Sequence, residues 1–250
     1  MASLAAVAHA AFAESLRAGR IGGRYLVDRV LGQGGMGLVV SARYPDLDQL
    51  VAIKILLPEL AQNAVLSARF LREAKLAARF ESPHLVRVFD VGRLDNGAPY
   101  MVMELLSGTD LGKALAERGR LPVTEAVDIL LQAIAGIAHL HASGVVHRDL
   151  KPSNVFLARG RGGTMTVKIL DFGVSKEQSD GVTPGLTATD CTLGTPQYMS
   201  PEQVKDSKRV DLRSDIWSLG VILYEILAGG LPFSPDGDSA GAQFGAILYT

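Results

Sequence analysis

Hydrophobic positions along this chain change period once, and the change divides it into two parts. From Tyr25 to about Gly92 the pattern is mostly strand-like. Leu26–Leu31 and Leu38–Ala42 flank a cluster of glycines, and Val51-Ala52-Ile53 leads into Lys54. One helix interrupts this run, roughly Ser67–Phe80, with Phe70, Leu71, Ala74, Ala77 and Ala78 at helical spacing. Val86–Val91 and Pro99–Met103 predict two further strands joined by the turn Asp95-Asn96-Gly97.

Past Leu106 the period becomes helical. Thr124–Ala142 carries Val127, Leu130, Leu131, Ile134, Ile137 and Ala138 on one predicted face and stops at Gly144. Asp215–Ala228 is apolar almost all round, which predicts a buried helix. The pattern suggests a small sheet-rich lobe followed by a larger helical one, with no internal repeat. Residues 1–24 differ from both: they are alanine-rich and end in Gly19-Arg20-Ile21-Gly22-Gly23, which reads as an extension and linker.

Composition narrows the classes. The 250 residues are 48% hydrophobic, enough for one large domain or two small lobes with a cleft. The 25 basic and 26 acidic residues leave a net charge of −1, so nothing favours nucleic acid or an anionic membrane as partner. The single cysteine, Cys191, excludes an internal disulfide and fits a reducing cytoplasm. No apolar run is expected to reach the roughly 18 residues of a membrane helix, and Ile216–Leu227 comes nearest. The start, Met1–His9, faintly resembles a signal peptide, but it lacks a basic beginning and His9 interrupts it.

Two polar strings carry candidate chemistry. His147-Arg148-Asp149-Leu150-Lys151-Pro152-Ser153-Asn154 places a candidate base and a metal ligand on one short loop, and Asp171-Phe172-Gly173 adds a second metal-binding group. Upstream, Gly32-Gln33-Gly34-Gly35-Met36-Gly37-Leu38-Val39 fits G-x-G-x-x-G-x-V. A dinucleotide-binding turn needs a helix directly after the glycines, whereas here Leu38–Ala42 continues as strand. A hairpin tip without side chains lets backbone N–H groups approach phosphates, with Leu31 and Val39 covering a base and Ala52 leaving room for adenine. Lys54 ends an apolar strand and needs an anion, either a phosphate or the carboxylate of Glu73.

With these residues in this order, the chain resembles a bacterial, eukaryotic-like Ser/Thr protein kinase domain over about Tyr25–Gly245. The resemblance implies an α+β bilobal fold: a five-stranded antiparallel N-lobe with one helix (25–106) and a mostly helical C-lobe lacking its last helices (107–250). It implies ATP and Mg²⁺ as cofactors. Asp149 would accept the substrate proton, Lys151 would steady the transferring phosphoryl group, and Asn154 and Asp171 would hold Mg²⁺. Glu104 and Leu106 would form the hinge beside Met103, Asp110 would meet the ribose, and Phe156 would floor the adenine pocket.

Gly194-Thr195-Pro196-Gln197-Tyr198-Met199-Ser200-Pro201-Glu202 resembles the substrate-docking loop of such kinases, in which Thr195 would bond to Asp149 and Lys151. Arg148 before the base implies activation by loop phosphorylation, with Thr187 and Thr189 as expected sites ahead of Thr183 and Thr192, and Lys176 sharing the phosphate. The loop Val174–Leu193 would be mobile without that anchor. Asp215 would brace the catalytic loop, against the plainer reading of a helix-start carboxylate. His139, His141 and His147 read as structural.

Expected partners are proteins bearing Ser or Thr, and a homodimer for phosphorylation in trans. The chain departs from the family's pattern by ending soon after Leu231-Pro232-Phe233, so an arginine that usually pairs with Glu202 is absent from it. A longer parent chain with a membrane anchor, or a weak or inactive nucleotide-binding scaffold, stays open at this point.

Overall fold

The computed structural model describes residues 12, 14–16, 19–160, 162–171, 196–206, 210–234 and 239–249. The chain divides into two compact units. Unit 1 comprises residues up to Glu81 together with Arg87–Leu106, and unit 2 comprises Ser82–Val86 and Ser107 onward.

Unit 1 is built on an antiparallel sheet of β1 (Arg20–Ile21), β2 (Tyr25–Gln33), β3 (Gly37–Tyr44), β4 (Gln49–Leu56), β5 (Val88–Arg93) and β6 (Pro99–Glu104), in the order β1-β2-β3-β4-β6-β5. The expected five strands are present, and Arg20–Ile21 adds a sixth. Residues 20–24 are therefore not a linker. Gly22 and Gly23 adopt φ of 56° and 70°, turning the chain so that Ile21 pairs with Tyr25. Ile21 is buried in the sheet core with Tyr25, Leu38, Val40, Ile53, Ile55 and Tyr100, and Phe12 and Leu16 pack against the same cluster.

The sheet curls. Arg24, beside β1, pairs its Nη2 with Asp90 Oδ2 of β5 at 2.6 Å, although β1 and β5 are opposite edges of the strand order. Tyr25 also donates to Asp90 at 3.3 Å, and burial, then the neighbouring carboxylate, pushes its phenol up to about 12.

A short turn, α1 (Pro58–Ala61), precedes the main helix of this unit, α2 (Ala64–Ala77). Asn63 caps α2 by accepting from Val65 and Leu66 N–H, so the helix starts and ends earlier than its apolar pattern predicts. Ser67, Phe70, Ala74 and Ala77 are buried, whereas Ala78 lies past the end and is exposed.

Unit 2 has a three-stranded antiparallel sheet, β7 (Gly108–Asp110), β8 (Val155–Arg159) and β9 (Met165–Ile169). Its helices are α3 (Leu111–Arg118), α4 (Val123–Ala142), α5 (Pro201–Lys205), α6 (Leu212–Ala228) and α7 (Ala240–Tyr249). The buried face of α4 is Ala126, Ile129, Ala133, Gly136, Ile137 and Leu140. Val127, Leu131, Ile134 and Ala138 of the predicted face are exposed instead. The reason is a close approach: a Cβ on Gly136 would sit 2.8 Å from the His84 carbonyl, so that side must face the neighbouring backbone.

By length and composition alone α4 is apolar enough to cross a membrane, a test that buried core helices also pass. Here α4 packs on β9 and α6. Helix α6 is not buried all round. Asp215, Ser218, Leu219, Ile222 and Ile226 face inward, and Ile216, Tyr224 and Leu227 are exposed.

Candidate functional site

In unit 1 the glycine cluster is the tip of the β2–β3 hairpin. Gly32 pairs with Val39 and Gln33 with Leu38, and Gly34 N–H donates to the Gly37 carbonyl at 2.9 Å. The glycines are not equivalent. A Cβ on Gly37 would lie 2.5 Å from the Ile55 carbonyl oxygen, so packing against β4 explains that residue. Cβ atoms on Gly32, Gly34 and Gly35 would meet nothing within 4 Å, and none of the three has positive φ. Neither backbone conformation nor internal packing requires them to be glycine, which leaves space for a ligand beside the backbone.

Leu31, Gln33 and Met36 are exposed around this tip, and Val39 is half-buried. Leu38 departs from expectation: at 1% exposure its side chain belongs to the unit 1 core, so only its backbone could serve a nucleotide. Strand alternation explains the difference, since Leu38 and Val40 point inward and Val39 outward.

Lys54 lies in β4 opposite Val39 and Met101, and Ala52 is buried opposite Met103. Glu73 is half-buried on α2. At the end of β6, Glu104 N–H donates to the Arg87 carbonyl at 2.9 Å, while its carboxylate accepts from Arg87 N–H at 2.8 Å. This double clasp fixes the backbone that leads to Leu106.

Unit 2 holds the loop His147–Asn154. Asp149 Oδ2 lies 3.1 Å from Lys151 Nζ. The amide nitrogen of Asn154 donates to the Asp149 carbonyl at 2.8 Å and reaches the same Oδ2 at 3.5 Å. That geometry leaves the Asn154 amide oxygen as its ligand atom.

Asp171, at φ 47°, follows Leu170, whose N–H donates to the Asn154 carbonyl at 2.9 Å. Asn154 and Asp171 are thus tied by one backbone bond. An amide and a carboxylate are hard oxygen donors that suit Mg²⁺, which completes its shell with water and phosphate. Among the described residues no group of three or more His, Cys, Asp or Glu could hold a metal, so a dedicated all-protein cage is not what this donor set offers.

The base loop is braced from beneath. Asp215, almost fully buried in the first turn of α6, accepts from His147 N–H at 2.8 Å and Arg148 N–H at 2.9 Å. It also meets His141 Nε2 at 2.7 Å. It is both a helix-start carboxylate and a brace.

His147 is fully buried. Its Nδ1 accepts from Asp149 N–H at 3.3 Å, so its Nε2 carries the hydrogen that is donated to the Leu170 carbonyl at 3.0 Å. Burial pushes its pKa below 6.5, against the opposing pull of Asp215, the Leu170 carbonyl, Asp149 and Asp171.

Asp110, expected at a ribose, starts a helix. Its carboxylate caps α3 by accepting from Lys113 N–H at 2.9 Å and pairs with Lys113 Nζ at 2.9 Å. Phe156 is half-buried on β8, opposite Asp110 and Lys168. Thr195 lies outside the described residues, as do Phe172, Gly173, Lys176, Thr183, Thr187, Thr189, Cys191, Thr192 and Gly194.

Beyond Thr195 the docking segment rests on α6. Ser218 Oγ donates to the Tyr198 carbonyl at 2.8 Å, and Tyr198 Oη donates to Glu225 at 2.7 Å. Burial, then that carboxylate, raises the Tyr198 phenol. Glu202, expected to lack its arginine, accepts from Ser214 Oγ, which itself accepts from Ser200 Oγ at 2.9 Å.

Two partners of the loop were not legible as such. His141 ends a helix with nothing local to mark its carboxylate. The signal at Gln203 concerns the helix start alone: Ser200-Pro201-Glu202-Gln203 has the capping-box pattern, and both of its bonds are present.

The protein kinase domain model matches residues 25–246. The chain is 41% identical over 216 residues to serine/threonine-protein kinase pkn3 of Myxococcus xanthus, covering 85% of this chain and 39% of that protein. It is 40% identical over 227 residues to probable serine/threonine-protein kinase SCO3848 of Streptomyces coelicolor, covering 89% and 33%. It is 39% identical over 216 residues to serine/threonine-protein kinase PknB of Mycobacterium leprae, covering 85% and 34%. The chain therefore spans well under half the length of these curated relatives.

Proposed function

We propose that this chain, which belongs to the protein kinase domain family, transfers the γ-phosphate of ATP to serine or threonine hydroxyls of proteins in the cytoplasm. The observation that carries this reading is the Asp149 carboxylate, set between Lys151 Nζ and the Asn154 amide on a loop braced by buried Asp215.

Asp149 takes the proton of the substrate hydroxyl as its oxygen bonds to phosphorus, and the bond to the β–γ bridging oxygen breaks. Lys151 stabilises charge on the transferring oxygens. Asn154 and Asp171 supply the oxygens that would hold Mg²⁺, which neutralises phosphate charge when bound. Lys54, with Glu73 as its expected partner, would position the α- and β-phosphates. The backbone of Gly32, Gly34 and Gly35 would hold the phosphates, Leu31 and Val39 would cover the base, and the Glu104–Leu106 backbone would meet the adenine edge. Phosphorylation at Thr187 or Thr189, carried out in trans by a second copy, activates the enzyme, with Arg148 as the phosphate's partner.

A lost catalytic residue would mark an inactive scaffold in the sequence, and each catalytic residue is present. The test is autophosphorylation and transfer to a protein substrate with Mg-ATP, beside Asp149→Asn. Transfer by the wild type alone supports the reading. A folded wild type that binds Mg-ATP yet transfers no more than Asp149→Asn refutes it.

A further inference from the structure

Arg148, the residue before the base, stands at φ 64°, a left-handed conformation that a non-glycine residue keeps only when its surroundings impose it. Both of its backbone polar groups are held. Its N–H donates to Asp215 Oδ1 at 2.9 Å, and its carbonyl accepts from Gln203 Nε2 at 3.0 Å. Asp215 comes from α6 and Gln203 from α5, so two separate elements grip one strained residue.

Gln203 has a second task. Its Oε1 accepts from Ser200 N–H at 3.0 Å, while Ser200 Oγ accepts from Gln203 N–H at 3.3 Å. Ser200 is fully buried and bonded to Ser214 of α6. One amide side chain therefore spends its oxygen on the docking segment and its nitrogen on the catalytic loop.

We infer that Gln203 is a positioning residue that links the docking segment to the base, holding the Arg148 carbonyl so that Asp149 keeps its catalytic orientation. This rests on the kinase reading above. Only an amide serves both ends at this position. A glutamate would keep the capping box, which accepts either residue at that position, but it would set a carboxylate oxygen against the Arg148 carbonyl in place of a donor.

The test separates these two bonds. Steady-state phosphorylation of a peptide substrate at pH 8, with thermal midpoints, is measured for wild type, Gln203→Glu and Gln203→Ala. Gln203→Glu is expected to keep its KM for ATP and to lose less of the midpoint than Gln203→Ala, since the capping box stays, while kcat falls about 3- to 10-fold, the range one neutral hydrogen bond carries. Gln203→Ala should lose both kcat and midpoint. Unchanged kcat in Gln203→Glu overturns the inference, and so does a midpoint falling as far as in Gln203→Ala.

Should the wild type transfer no more than Asp149→Asn, the kinase reading fails by itself. Amide hydrogen exchange at Arg148 and Asp149 then decides the linkage. Exchange at Arg148 and Asp149 that speeds up more in Gln203→Glu than exchange in the rest of unit 2 supports it, and exchange that rises no more there than elsewhere overturns it.

Discussion

The glycine hairpin of unit 1 and the base loop of unit 2 solve opposite problems. Around Gly32–Met36 the backbone is exposed and three of the five residues are glycine, so that the chain yields space to something outside itself. From His147 to Asn154, successive backbone groups are taken by buried Asp215, His147, Asn154 and Gln203. One segment is made by what it lacks, the other by how many neighbours constrain it. Phosphate binding tolerates an adjustable cradle, whereas proton transfer needs a fixed carboxylate.

The contrast can be broken most severely at the brace. Asp215→Ala orphans the buried His147 N–H, at about 1–3 kcal/mol, and the part-buried Arg148 N–H, so the denaturation midpoint should fall steeply and activity with it. Lys54→Met should instead lower transfer about 10²- to 10³-fold, the usual cost of losing one charge-stabilising donor, with little change in melting temperature.

Within the hairpin itself, Gly37→Ala should cost about 1–3 kcal/mol by forcing β3 away from the Ile55 carbonyl, seen in chemical denaturation. Gly34→Ala should leave stability within about 0.5 kcal/mol and weaken ATP binding, seen by calorimetry. Equal stability losses in the two would erase the distinction between them.

The smallest effect concerns pH. His147 is held below its ordinary value of 6.5, so the unfolded chain binds its proton first. Its contribution to stability is complete above pH 6.5 and declines as pH falls from there toward the lower folded value. ¹⁵N NMR should find its ring neutral, with hydrogen on Nε2, at a pH where exposed imidazoles are already charged.

Five strands of unit 1, Lys54 and the base loop stood out because period-2 alternation and contiguous polar motifs are local signals, whereas Arg20–Ile21 and the three short strands of unit 2 lie in stretches read as linker or helical. Elsewhere the deciding contact was distant. Helix α4 offers apolar residues on every side, and its inward face was chosen by the approach of Gly136 to His84. Asp110 met its own helix start, a local bond that family position alone does not disclose. Gly22-Gly23 looked like slack because glycine pairs mark both linkers and tight turns. Only the apolar Ile21 before them hinted at the turn that formed.

That turn has a consequence for where this unit begins. Cutting the chain at Tyr25, where the family match starts, would strip β1 from β2 and vacate the place Ile21 fills. The bared strand edge would present unpaired amides and carbonyls to any second copy. A shortened protein would then meet its first difficulty as precipitation in the tube, before its chemistry could be assayed.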